Sequence, residues 1–527
     1  MFLFLISLFP FFLFSIFKIR KAIHMLQQNY YDESERYFLW ILNNPKKVWL
    51  EWDISFLFLV LLQFLTHDIA CIIFGIFYIL LAIEYHHERI HSQNKKPLVF
   101  TARVRRLLIT ICILYAIMIL PMILCYSSKM LVANYLYLGF VTYLSYLVVK
   151  LANTINKPIE KCVYFYYQNK ALKKMDAMKI PVIGITGSYG KTSSKNIIYD
   201  ILNVKFNAFV SPKNFNTPYG LILSINNYLD KFEDYFIAEM GAFKIGEIAE
   251  TCRLMKPTYG VLTTIGEAHL ESFGSRENIQ KGKFELIESL PSDGFAILNG
   301  DDPYQRSYKV KNDCSLFWIG IENKNVDAYA TNIQTSYEGS KFDIKFKDDE
   351  KFYSFQTKLL GSHNIYNILA GVLLGKKLGM NVLDLQRGVS RIKPIEHRLE
   401  LKRAGELNII DDAYNSNPVG AKMAVEVLGM MPGEKIIVTP GMIELGEKQY
   451  VANKTFGNQI AGVADYVILV GKEQTKPIYD GLVESNFNKE KIVVLNDVRE
   501  AFPLIYKLKK EEAYVLLEND LPDLFNE

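Results

Sequence analysis

Residues Pro181-Val-Ile-Gly-Ile-Thr-Gly-Ser-Tyr-Gly-Lys-Thr-Ser193 decide the fold of this 527-residue chain. The apolar run Val182 to Ile185 predicts a buried strand, the glycines a tight turn, and Ser193 to Leu202 a helix. Strand, glycine turn and helix in that order make a phosphate-binding loop. The glycines let backbone N–H groups converge on phosphate oxygens, and the helix presents its positive N-terminus to them. In this loop Lys191 neutralises the β- and γ-phosphates and Thr192 offers its hydroxyl to Mg²⁺. The expected ATP contacts are Thr186, Gly187, Ser188, Tyr189, Gly190, Lys191, Thr192 and Ser193. The strict Gly-x-x-x-x-Gly-Lys-Ser/Thr pattern is not met, because Ile185 stands where its first glycine belongs.

Away from the loop the chain changes character. Half of its residues are apolar and the formal net charge is only +4, which gives no reason to expect nucleic acid as a partner. The apolar residues crowd into positions 1–150. There the sequence predicts about five membrane spans, near Met1–Phe17, Val48–Leu65, Ile69–Ile83, Leu107–Cys125 and Tyr135–Val149, with His67-Asp68 as a tight turn between the second and third. No positive charge precedes the first run, which argues against a cleaved signal peptide. Lys18, Arg20, Lys21, Arg36, Lys46 and Lys47 follow the first span, and Arg89, Lys95, Lys96, Arg103, Arg105 and Arg106 follow the third. The loop after the fourth holds only Lys129. Positive loops stay in the cytoplasm, so the N-terminus is expected outside and everything after Lys150 inside, on a bacterial plasma membrane. The spans carry few ionisable residues, which suits an anchor or lipid-facing platform better than an ion relay. The six cysteines show no metal spacing and fit a reducing compartment. Residues 151–180 form the linker.

From residue 181 strands and helical runs alternate, predicting α/β architecture with mainly parallel sheets. Asp327–Leu360 alternates in short steps and predicts a few antiparallel strands. A boundary near Pro394 divides a central ATPase-type domain with the phosphate loop, 181–394, from a Rossmann-like α/β domain, 395–527. Ligands in such folds bind at the carboxyl ends of strands. Polar residues gather there: Glu239, His269, Asn299, Asp301, Asp302 and the run Asp411-Asp-Ala-Tyr-Asn-Ser-Asn-Pro418.

The order of these pieces resembles the Mur ligase family, closest to its D-alanyl-D-alanine-adding branch. The resemblance covers about residues 181–520 and rests on the loop, Asn216-Thr-Pro-Tyr-Gly220, Glu239-Met-Gly241, Gly266-Glu-Ala-His-Leu-Glu-Ser-Phe-Gly-Ser275, Lys283 with Glu285, and Leu298-Asn-Gly-Asp-Asp302. It continues through Gly361-Ser-His-Asn-Ile-Tyr-Asn367, Glu396-His-Arg398, Asp412-Ala-Tyr-Asn-Ser-Asn-Pro418 and Gly441-Met-Ile-Glu-Leu-Gly446.

The resemblance implies an ATP- and Mg²⁺-dependent ligase that joins an amino acid or dipeptide to a cell-wall precursor through an acyl phosphate. By the same resemblance Thr192, Glu239, His269 and a carbamylated Lys283 hold Mg²⁺. Asn299, Asn364, Arg398, Asp412 and Asn415 contact ATP, and Asn216, Thr217 and Pro218 face the substrate. Lys191, Lys283, His269 and Arg398 carry the catalysis, with Arg398 reaching the phosphates when the domains close. The chain departs from the branch in two places. Apolar spans stand where the branch carries its UDP-sugar domain, and Leu517-Glu-Asn-Asp-Leu-Pro522 stands where a Lys-Gly-Ser-Arg-like segment is common. A lipid-linked or other wall-polymer acceptor therefore stays open, with membrane-bound poly-γ-glutamate synthases the nearest rival enzymes. An ATP-driven membrane transport protein is the rival of another class.

Overall fold

The computed structural model describes residues 2–32, 35–91, 97–212, 215–414, 416–443, 445–509 and 512–520, without the side chains of 88–91 and 271. It divides into two compact units, Met1–Tyr166 and Tyr167–Glu527.

The first unit is helical. Three helices are long and apolar enough to cross a membrane: Phe2–Gln28, His67–His87 and Ala102–Leu124. A fourth crossing is available if Ser128–Tyr143 and Ser145–Met178, bent by 60° at a short break, act as one. The span expected at 48–65 is instead a 13-residue 3₁₀ helix, Trp52–Phe64. Its buried residues are Asp53, Phe56, Leu59 and Leu62, a spacing of three that matches three residues per turn. The turn expected at His67-Asp68 is the first turn of the next helix, and Leu65-Thr66 make the connection. The expected linker, 151–180, is mostly the continuation of the helix Ser145–Met178.

Side-chain contacts fix how these elements run. At one end Phe4 stacks on Tyr126 at 4.2 Å, Tyr135 and Ser7 share a hydrogen bond of 2.8 Å, and His67 bonds Tyr126 at 2.7 Å. At the other end Lys18 pairs with Asp53, Lys21 with Glu51 at 2.8 Å, and Arg106 with Glu160 at 2.7 Å. There too Asn153 donates to Tyr31 O at 2.8 Å. The chain therefore traverses the bundle five times in alternating directions, the 3₁₀ helix being the second pass. Its core is aromatic: Phe11, Phe14, Phe74, Tyr78 and Tyr135 are buried, and Phe74 stacks on Tyr135 at 3.7 Å. Gly139 lets Phe56 approach, since a Cβ there would stand 2.6 Å from its ring.

The second unit holds two sheets. The first contains β1 (Val182–Thr186), β2 (Ala208–Val210), β3 (Tyr235–Glu239), β4 (Tyr259–Leu262), β5 (Phe295–Asn299), β6 (Ser315–Gly320), β7 (Ala328–Ser336), β8 (Gly339–Phe346) and β9 (Phe352–Thr357). Their order is 2-3-1-4-5-6-7-8-9. The strands up to β7 pair in parallel, and β7, β8 and β9 pair antiparallel, as the alternation at 327–360 predicts. β1 is buried at every position because both faces are covered. Ile197, Ile198 and Ile201 of the helix Lys191–Leu202 pack with Ile365, Ile368 and Leu369 of the helix His363–Lys377 in the core on one face.

The second sheet contains β10 (Glu400–Ala404), β11 (Leu407–Asp412), β12 (Glu434–Thr439), β13 (Tyr466–Val470), β14 (Ile492–Leu495) and β15 (Ala513–Glu518), in the order 10-11-15-12-13-14. Only β10 is antiparallel to its neighbour. In both sheets the polar sequence pieces fall at the carboxyl ends of β1, β3, β4, β5, β11 and β15.

Candidate active site

β1 ends at Thr186, whose hydroxyl donates to Met240 O at 2.8 Å. The chain turns through Gly187 and Gly190, with φ +148° and +78°, into the helix that starts at Lys191. A Cβ on Gly187 would collide with Thr263 Oγ1, so no side chain fits there. The loop is tied to the end of β4. Ser188 N donates to Thr264 O at 2.7 Å, Ser188 Oγ to Gly266 O at 3.1 Å, and Thr263 Oγ1 to Tyr189 O at 2.6 Å. The Tyr189 ring lies against Gly266, and burial pushes its phenol up to about 12. Ser193 is half-buried in the first turn of the helix.

Register places Glu239, the last residue of β3, beside Ile185 of β1. Its carboxylate is buried and well supplied with donors. Thr192 Oγ1 donates to Oε2 at 3.1 Å and Asn216 Nδ2 to Oε1 at 3.1 Å. Lys195 Nζ stands 3.2 Å from Oε2 and donates to Ser211 O at 3.1 Å. Thr192 and Glu239 thus meet as the sequence expects, and Asn216 joins them. Thr217 caps the helix Pro218–Asn227, accepting from Gly220 N at 3.3 Å, with Pro218 as its first residue. Lys195 is the residue that sequence reasoning misses. Its only signal is its place one turn after Lys191.

Lys191 Nζ folds back on its own loop, donating to Gly187 O at 2.7 Å and Ser188 O at 3.2 Å. Burial lowers its pKa, Glu239 opposes that shift, and the Arg398 guanidinium adds to it. Lys283, on the helix Arg276–Glu288, is fully buried. Its Nζ is 3.3 Å from Ala242 O and 5.3 Å above the Phe273 ring. Burial lowers its pKa to about 7, and the charge of Lys191 adds to the effect. His269 has φ +59° and heads the short helix Leu270–Phe273, its ring 4.5 Å from that of Phe243. Phe243 follows Ala242 and Phe273 ends that helix, so His269 and Lys283 share one neighbourhood.

Asn299 ends β5 and holds its own turn, accepting from Asp301 N at 2.9 Å. Asn364 donates to Leu360 O at 2.8 Å and accepts from Asn367 at 3.3 Å. Asn367 in turn accepts from Ser194 at 2.8 Å and lies beside Gly190. The side chain against the phosphate loop is therefore Asn367, with Asn364 behind it.

Arg398 follows the central domain directly. Its guanidinium lies 4.3 Å over the Tyr414 ring. Besides Lys191, its charge acts on His363, lowered to about 4 chiefly by burial, and on Asp412 and Glu518. Asp412 and Glu518 are register partners at the ends of β11 and β15. Burial raises both carboxyls, Asp412 to about 6, and Ser416 Oγ donates to Glu518 at 2.6 Å. Asn415 lies outside the described residues.

These residues fit a magnesium–nucleotide. Gly187 and Gly190 give the loop its positive-φ turn, a half-buried lysine closes it, and a hydroxyl meets a buried carboxylate beside it. Among the described residues no three His, Cys, Asp or Glu side chains converge as a metal cluster. The residues gathered here supply a hydroxyl, one carboxylate, one imidazole and an amine instead.

Comparison with known proteins agrees with this geometry. Residues 185–375 match the Mur ligase middle domain and residues 397–518 the Mur ligase, glutamate ligase domain. The UDP-N-acetylmuramoyl-tripeptide–D-alanyl-D-alanine ligase of Bacillus subtilis is 35% identical over 296 residues, 55% of this chain and 63% of that protein. The Escherichia coli ligase of the same name is 32% identical over 55% of this chain and 65% of that one. The chain thus spans less than two thirds of the length of these relatives. Among solved structures, MurF ligase from Thermotoga maritima in complex with ADP has a TM-score of 0.59 at 27% identity, covering 67% of this chain and 80% of that one. MurF from Acinetobacter baumannii shares the fold, with a TM-score of 0.61 at 24% identity over 68% of this chain and 77% of its own.

Proposed function

We propose, from a chain that belongs to the Mur ligase family through its middle and glutamate ligase domains, an ATP-dependent amide ligase of cell-wall assembly. The relatives named above support a D-alanyl-D-alanine-like amine and a muramoyl-peptide-like carboxylate. The observation that carries the reading is the meeting of Lys191, Thr192 and Glu239 at the ends of β1 and β3, with Lys283 and Arg398 acting electrically on the same loop.

A carboxylate does not condense with an amine at neutral pH. MgATP would supply a phosphoryl group that turns the carboxylate into an acyl phosphate with a good leaving group. Around it the chain's own groups have definite tasks. Loop N–H groups and Lys191 would take up phosphate charge, and Thr192 and Glu239 would supply hard oxygen ligands to Mg²⁺. Lys283, whose amine is half neutral near pH 7, is suited to carbamylation, which would make it an oxygen ligand as well. Arg398 adds a second cation where two anionic reactants must approach. Closure of the second sheet's domain toward the loop would keep water from the activated acyl group.

We read the helical unit as a membrane anchor. Among the described side chains, twelve Lys and Arg residues between Lys18 and Lys161 gather toward the end of the bundle where Lys18 meets Asp53, and Lys129 lies toward the other. The positive-inside rule puts the basic end in the cytoplasm, with the amino end of Phe2–Gln28 outside. The 3₁₀ helix supports five crossings despite its 13 residues, because at about 2.0 Å per residue it is roughly 26 Å long, close to the ~30 Å of a hydrocarbon core.

The test is direct. Detergent-purified protein is given MgATP, a UDP-muramoyl tripeptide or its lipid-linked form, and D-alanyl-D-alanine. Release of ADP and phosphate that requires both acceptor and amine, with an amide product by mass spectrometry, is expected. ATP turnover indifferent to every such pair would refute the reading.

A further inference from the structure

The backbone on either side of Arg398 is strained, and two adjacent carboxylates hold it. His397 and Leu399 have φ +59° and +47°, a left-handed conformation that side-chain-bearing residues rarely adopt. Such conformations persist only where the surroundings enforce them, and they collect at working sites. Here the enforcement is visible. His397 Nδ1 donates to Asp411 Oδ2 at 2.8 Å, and Leu399 N donates to Asp412 Oδ1 at 3.1 Å. His397 N donates to Glu400 Oε2 at 3.3 Å, and Arg398 N to Ile395 O at 3.0 Å. Asp411 is itself anchored: Lys402 Nζ donates to Oδ2 at 2.8 Å and Ala413 N to Oδ1 at 3.3 Å. It is paired through the sheet with Glu400, the first residue of β10.

We propose that Asp411 and His397 are positioning residues for Arg398, clamping the His397–Leu399 turn so that the guanidinium is aimed before any ligand arrives. The inference rests on the ligase reading for the task given to Arg398. It goes beyond that reading because neither Asp411 nor His397 has any part in it. The sequence Asp411-Asp412 gains a physical reason: successive residues at a strand end point to opposite faces, so one carboxylate takes the ring on one flank of Arg398 and the other takes the amide on the other flank.

Two variants of the full-length protein test it. Asp411→Asn keeps the size and removes the charge. His397→Gly removes the ring while accepting the positive φ without strain, so it keeps the fold if the first variant does not. Amide hydrogen exchange over residues 397–400 is expected to speed up about tenfold or more in both, with distant strands such as β1 unchanged. Unchanged exchange there overturns the clamp whatever the protein catalyses. In ligation assays kcat is expected to fall about ten- to a hundredfold with the KM for ATP little altered, as for a misaimed group. In an Arg398→Ala background the same substitutions are expected to add less than about twofold. Equal losses with and without Arg398 would show that Asp411 and His397 act on something else. If the unaltered protein joins no substrate pair, the ligase reading fails separately and the exchange measurement still decides the clamp.

Discussion

Lys195 Nζ lies 3.2 Å from Glu239 Oε2, and neither side chain is more than 2% exposed. Removing one partner of so deep a pair leaves the other's charge without its counter-charge, which costs about 3–5 kcal/mol. Lys195→Met is therefore expected to lower the stability of the second unit by about that amount. Combining it with Glu239→Leu is expected to restore a large part. Denaturant titration checks this, and losses that simply add would show that the two side chains are not coupled.

Lys191→Ala is expected to keep the fold and lose ligation by roughly 10²–10³-fold, the usual size for one preorganised charge at a reacting phosphoryl group. Single-turnover kinetics beside a melting curve separates the two effects. Turnover close to normal would remove Lys191 from the chemistry.

Under the ligase reading, Lys283 is expected to make activity depend on pH. Only the neutral amine reacts with carbon dioxide, and burial brings this lysine from 10.5 to about 7. Activity limited by carbamylation is expected to fall as pH drops through about 7 and to recover with added bicarbonate. The linked stability runs the same way. Between about 7 and 10.5 the unfolded chain binds the extra proton, so stability from this group rises with pH there and is lost as pH falls toward 7. Lys283→Ala is expected to be nearly inactive and partly rescued by a small carboxylate; full activity without it would make the lysine a packing residue.

Two native cysteines report orientation. Cys125 caps the helix Ala102–Leu124 away from the basic end, Cys162 lies near that end, and both are exposed. A membrane-impermeant maleimide added to intact cells is expected to modify Cys125 and spare Cys162. Labelling of Cys162 but not Cys125 would invert the topology.

The parts of the fold legible in the sequence are those where one residue type has one explanation. Val182 to Ile185 can only be an interior strand before that glycine turn, and the alternation at 327–360 can only be antiparallel. β2 is three residues long, and β10, Glu-Leu-Lys-Arg-Ala, is an edge strand with both faces polar, so neither stands out. The stretch 56–62 is apolar at every position, which hides the period that separates a 3₁₀ helix from an α-helix. At the site, Thr192 and Glu239 are legible from their places at strand ends. Lys195 and Asp411 are not, because what defines them is a partner brought by the sheet: Glu239 for the first, the strained His397 for the second.

The 3₁₀ helix Trp52–Phe64 also restricts how this protein can change length. Its inward stripe, Asp53, Phe56, Leu59 and Leu62, advances by threes. One inserted or deleted residue would turn everything beyond it by about a third of a circle, swinging leucines out and their neighbours in. Insertions and deletions in this segment are therefore tolerated only in whole triplets of residues, whereas in the flanking α-helices, at 3.6 residues per turn, a triplet does not bring the faces back into line.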